Sequence, residues 1–151
     1  MIELPTELAI VLDEADRAVI DEHGIELPWG PTNAVELAVR WSNSVAKLDD
    51  DRTLSWSDHS VWTEHDLVGA LYLRDAVETG LDALPEPARA KVAAFVGTVD
   101  DRYRSFTVED PSGRMGVVAV RDLTGRGWWW FRVPSTGPIV NDLRSYALPE
   151  S

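Results

Sequence analysis

The chain has 151 residues, 44% of them hydrophobic, and a formal net charge of −12. That size suits a single globular domain over residues 1–151, able to bury roughly two thirds of its unfolded-chain surface. The absence of cysteine excludes disulfides, thiolate zinc sites, iron–sulfur clusters and thiol nucleophiles, leaving oxygen and imidazole chemistry.

The charge is uneven. Residues 1–66 carry 15 acids and 4 bases, net −11, whereas residues 67–151 carry 11 acids and 10 bases, net −1. A field of that sign repels nucleic-acid phosphates and anionic membrane surfaces and favours cations or a basic partner protein. The first residues have no basic stretch ahead of the apolar run Leu8 to Leu12, and no apolar stretch reaches membrane-spanning length. Neither a secretory signal nor a membrane span is expected, and the cytoplasm is the expected compartment.

In chain order, Asp13 suits the cap of a short helix that ends near Gly24, with His23 in its last turn, where a cation favours the helix dipole. Pro28 and Pro31 then predict a stiff extended connector, with Trp29 anchoring it to the core. Thr32 or Asn33 caps a helix running to about Leu48, whose stripe is Ala34, Leu37, Ala38, Trp41, Val45 and Leu48. Asp49, Asp50, Asp51 and Arg52 follow as its stop, either a solvated loop or a site for a cation or basic partner, because carboxylates there oppose the dipole.

Thr63-Glu64-His65-Asp66 resembles a capping box opening a helix to about Leu84, with Leu67, Ala70, Leu71, Leu73, Val77, Leu81 and Leu84 as its apolar face. Gly80 reads as a mild flaw in it, worth about 1 kcal/mol against alanine. Pro85 and Pro87 start another helix bearing Ala88, Val92, Phe95, Val96, Val99, Tyr103 and Phe106. Residues 103–108 suit either the end of that helix or a strand, and 109–113 a turn. A hairpin is expected from Met115–Asp122 and Trp128–Val133, and a terminal helix over Ile139–Tyr146. The expected class is therefore α+β and mostly helical, with three or four helices packed against a C-terminal β-hairpin or small antiparallel sheet.

Gly127-Trp128-Trp129-Trp130-Phe131-Arg132-Val133-Pro134 is the most unusual stretch. Read as a strand, it divides into a core face, Trp129, Phe131 and Val133, and a second face, Trp128, Trp130 and Arg132, which is a candidate contact surface. Exposing one tryptophan forgoes about 4 to 6 kcal/mol of burial, so such rings are either covered or used. Arg121, Arg126 and Arg132 are placed to stack on them.

Catalytic signals are sparse. Asp58-His59-Ser60 and Glu64-His65-Asp66 hold the residue types of a hydrolase, but adjacency in sequence does not orient a triad, and the six-residue histidine spacing does not match a helical metal pair. No phosphate-binding glycine loop occurs, and neither a metal nor a cofactor is expected. The leading expectation is a non-catalytic interaction protein, of the kind of an immunity protein or antitoxin, binding a more basic partner. Its binding residues are Trp128, Trp130, Arg132, Arg121, Asp49, Asp50 and Asp51, with a homodimer through the aromatic surface as a further partner. The alternatives are a small-molecule or carbohydrate-binding module using Trp56, Trp62, Trp128 and Trp130, and a small hydrolase using His59 and His65.

Overall fold

The computed structural model describes residues 3–110 and 113–145. Its element order is α1 (Thr6–Val11), α2 (Glu14–Glu22), β1 (Ile25–Leu27), β2 (Gly30–Thr32), α3 (Ala34–Asp51), α4 (Glu64–Asp82), α5 (Ala88–Phe106), β3 (Thr107–Glu109), α6 (Arg114–Ala119), a 3₁₀ turn (Trp128–Phe131), β4 (Arg132–Pro134) and α7 (Pro138–Arg144). The fold is α+β and mostly helical, with two small antiparallel sheets, one of them N-terminal. The chain divides into two compact units, residues 3–43 with 73–101 and residues 44–72 with 102–145.

The first unit begins with α1 and α2. Asp13 caps α2 reciprocally: it accepts the Asp16 N–H at 2.8 Å, and Asp16 accepts the Asp13 N–H at 3.0 Å. His23 stands at the other end, its Nδ1 donating to the Val19 carbonyl at 2.9 Å, a structural role. The expected connector is instead a hairpin: Ile25, Glu26 and Leu27 pair with Thr32, Pro31 and Gly30. Gly30 takes a φ of 127° after the two-residue turn. Trp29 sits at that turn 59% exposed, outside the core to which it was expected to anchor the connector.

Asn33 caps α3 by accepting the Glu36 N–H at 3.0 Å, and the anticipated stripe from Ala34 to Trp41 is buried. Gly80 is no flaw. A Cβ there would lie 3.1 Å from the Ala34 Cα and 3.2 Å from Leu37 Cδ1, so the glycine lets α4 approach α3 closely.

Three elements of this unit meet in a buried polar network. The Trp41 indole donates to Asp100 at 2.9 Å, and Arg74 grips the same carboxylate with two bonds at 3.0 and 2.9 Å while reaching Glu78 at 2.7 Å. Burial is the strongest single influence on the Arg74 guanidinium and opposes its charge, but the hydrogen bonds and negative charges of Asp100 and Glu78 together outweigh it and hold its pKa above the ordinary value. Such a pair is bidentate and satisfied, the condition under which a buried charge persists.

In the second unit α3 runs on through Asp51, beyond the expected stop at Leu48. Asp66 accepts the Thr63 N–H at 2.8 Å at the head of α4, as the capping pattern implies. Residues 103–106 end α5, while Thr107, Val108 and Glu109 pair antiparallel with Pro134, Val133 and Arg132, so both readings of 103–108 hold in part.

The expected C-terminal hairpin does not form. Residues 114–119 are helical, with Met115 and Val118 buried one turn apart and the Met115 N–H bonded to Asp110 at 3.0 Å. Tertiary context overrides the β-propensity of the valines. Val120 ends this helix at φ 53°, a strained conformation for a β-branched residue, and is 87% exposed. The tryptophans form a 3₁₀ turn, closed by the Trp130 N–H on the Gly127 carbonyl at 3.1 Å. At three residues per turn neighbouring side chains diverge by about 120° instead of 180°, so Trp129 and Trp130 are both buried and Phe131 is left 43% exposed. Gly127 makes room for this, since a Cβ would fall 2.3 Å from the Trp129 ring. The terminal helix is α7. Pro111 and Ser112 of the expected turn, and Tyr146 of the expected helix, lie outside the described residues.

Candidate functional site

The aromatic stretch places its expected binding residues unequally. Trp130 is fully buried, edge-on to Tyr72 at 4.9 Å between centroids, with Arg126 5.2 Å above it. It offers no surface. Trp128 is half-buried, edge-on to Trp129 at 5.7 Å, and Arg104 stacks on it at 3.8 Å. Arg104 thus occupies the face expected for another arginine. Arg121 lies 5.4 Å over Tyr72. Arg132 is a clamp: its Nε donates to the Thr107 hydroxyl at 2.9 Å and its Nη2 to the Thr107 carbonyl at 2.7 Å, fixing the head of β3 to β4. The carbonyl of Arg132 accepts from the Tyr103 hydroxyl at 3.2 Å, and burial pushes the phenol pKa well above its usual value. A cleft of about 330 Å³ remains beside Trp128 and Phe131, with Arg104, Glu109, Asp110 and Arg132 around it.

The acidic run is largely consumed by the fold. Asp51 is buried, accepting from the Lys47 ammonium at 2.8 Å and from the Trp62 N–H at 2.8 Å, which ties the loop after α3 to that helix. Asp49 pairs with Arg52 at 2.8 Å and with Arg102 at 3.2 Å. Asp50 alone of the three points outward, 77% exposed and 4.0 Å from Arg102. These cations answer the unfavourable placement of carboxylates at a helix C-terminus.

The residues of the other readings scatter. Trp56 is 71% exposed in a groove shared with Asn141 and Ser145, apart from the cleft that Trp128 lines. Trp62 is half-buried. The Ser60 hydroxyl donates to Asp58 at 2.6 Å in a local turn, and this bond holds the Asp58 carboxyl below its ordinary pKa. His65 contacts Glu64 at 3.2 Å on the surface. Among the described residues no group of three or more His, Asp or Glu side chains is arranged to hold a metal.

A second surface was missed by sequence reasoning. Residues 3–26 hold eight acids and one base, Arg17. Asp16 is buried against Lys91 at 2.6 Å, and that hydrogen bond holds its carboxyl below the ordinary pKa. Glu3, Glu7, Asp13, Glu14, Asp21, Glu22 and Glu26 are exposed. The same stretch exposes Ile10 by 77% and Val11 by 44%. A cleft of about 600 Å³ opens among α1, α2 and the head of α3, walled by Ala9, Leu12, Ile20 and Val35, with Arg17, Asp21 and Glu36 as its charged lining. The signal was present in the local ratio of acids to bases, which the total over 66 residues averages away. No helix among the described residues is long and apolar enough to cross a membrane. No protein-family model matches the chain, and neither a curated protein nor a solved structure matches it significantly.

Proposed function

We propose that this chain is a non-catalytic interaction protein of the cytoplasm that binds a more basic partner protein, in the manner of an immunity protein or antitoxin. The observation that carries the reading is the segment 3–26, where seven exposed carboxylates accompany a single base and two exposed aliphatic side chains. Exposed charge of one sign steers a complementary partner and raises its association rate, while apolar area beside it supplies what charge alone does not, a slow dissociation. Asp50, in the second unit, is a further exposed carboxylate. Asp49 and Asp51, already paired within the fold, contribute less than their sequence position implies. The test is co-purification from the source cell at low and at high salt, with the bound protein identified by mass spectrometry. A basic partner released by salt is the expected result; an acidic partner, or none, contradicts the reading.

A second reading is association of two copies, or capture of a small aromatic or sugar ligand, at the cleft beside Trp128. The exposure of Phe131 beside the half-buried Trp128 favours it. Sedimentation at rising concentration separates the dimer from the ligand, and Phe131→Ser weakens either.

A further inference from the structure

The cleft of the first unit combines two properties that a docking groove for a basic segment needs. Its wall is apolar, from Ala9, Leu12, Ile20 and Val35, and its volume of about 600 Å³ falls within the range of roughly 300 to 1,000 Å³ that holds specific ligands. Its charged lining is two acids against one base, Asp21 and Glu36 against Arg17. Beyond the lining, Glu14 stands one turn before Arg17 and two before Asp21 on the same face of α2. Resting on the reading of a basic partner, we propose that this groove receives apolar side chains from an amphipathic segment of that partner whose flanks are lysine and arginine. The apolar contact fixes where the segment docks, and the acids of residues 3–26 bring it there.

Several acids on one helix face would attract any cation and specify nothing. The groove adds selectivity, because a basic peptide without apolar residues leaves its wall wet. The two contributions make opposite predictions for one substitution. Ala9 is exposed at the groove. Ala9→Glu strengthens the negative field, so pure charge attraction predicts tighter binding. In a groove that seats aliphatic side chains the same carboxylate weakens it.

The probe is a fluorescein-labelled helical peptide of about 15 residues with a leucine face and a lysine face, compared with versions in which serine replaces leucine or glutamate replaces lysine. Anisotropy titrations at about 50 mM salt are expected to show binding of the lysine–leucine peptide, with at least about ten-fold weaker binding of both controls. Ala9→Trp, which fills the groove mouth, and Ala9→Glu are each expected to weaken the lysine–leucine peptide about ten-fold. Thermal melts of both variants are to match the parent. Equal binding of the lysine–serine peptide, or tighter binding by Ala9→Glu, overturns the groove. If the lysine–leucine peptide binds parent and both variants alike, the groove fails while the basic-partner reading stands. If no lysine peptide binds, both fail.

Discussion

Two acidic stretches of this chain, residues 3–26 and residues 49–66, meet opposite fates. In the second, Asp51 holds Lys47 and the Trp62 amide, Asp49 holds Arg52 and Arg102, Asp58 accepts from Ser60, and Asp66 accepts the Thr63 amide at the head of α4. In the first, Asp13 and Asp16 are used in this way, and the remaining six acids are exposed around a single arginine. A run of carboxylates becomes available to a partner only where the fold does not supply its own donors. Sequence density of charge is a poor guide to that, since the denser run, Asp49-Asp50-Asp51, is the more fully engaged.

On that contrast, acids with internal donors carry stability and the exposed acids carry association. The largest effect belongs to the buried network. Asp100→Ala leaves the Arg74 guanidinium and the Trp41 N–H without their shared acceptor and is expected to cost about 3 to 5 kcal/mol in denaturant unfolding. Asp51→Ala strips a buried acceptor from Lys47 and the Trp62 amide, for an expected loss of about 2 to 3 kcal/mol by the same measurement. A loss under about 0.5 kcal/mol would return Asp51 to the class of partner-facing acids.

The pH dependence sharpens the contrast further. Because Lys91 holds the folded-state pKa of Asp16 below that of the unfolded chain, about 3.9, the pair stabilises the protein above that pH. The contribution is lost as pH falls from there through the folded-state value. Asp16→Asn is therefore expected to lower Tm at neutral pH and to flatten its decline below about pH 4, leaving the parts due to Asp58 and Asp122, whose carboxyls are also held low by local donors. An unchanged slope in Asp16→Asn melts would break the assignment. The smallest effect is expected from Glu14→Gln with Asp21→Asn: stability within about 0.5 kcal/mol of the parent, but weaker and less salt-dependent binding of a basic peptide.

The long helices were legible because their apolar residues recur at three- and four-residue steps over many turns. Ala34 to Leu48 and Ala88 to Phe106 are buried as their spacing implies. Short elements carry too few repeats to declare a period. Residues 114–119 read as strand by composition, yet Met115 and Val118 are spaced as one helical turn. The tryptophan run was misassigned for a related reason. On a strand Trp129 and Trp130 point to opposite faces, whereas the 3₁₀ turn carries both inward, and only packing decides between the two. Arg74 and Asp100 had a readable sign: each sits at helical spacing from apolar neighbours, Leu71 and Val96, so their helices turn them inward. Which acid would find which base depends on contacts between residues 26 to 75 positions apart, and no local pattern encodes those.

The most direct test of the contrast is a backbone-amide NMR titration of the whole chain with the lysine–leucine peptide. Shift changes concentrated in residues 4–36 around Ala9, Asp21 and Val35, with the amides of Asp49, Asp51 and Trp128 unmoved, are the expected result. Changes centred on residues 49–66 or on Trp128 and Phe131 would contradict it.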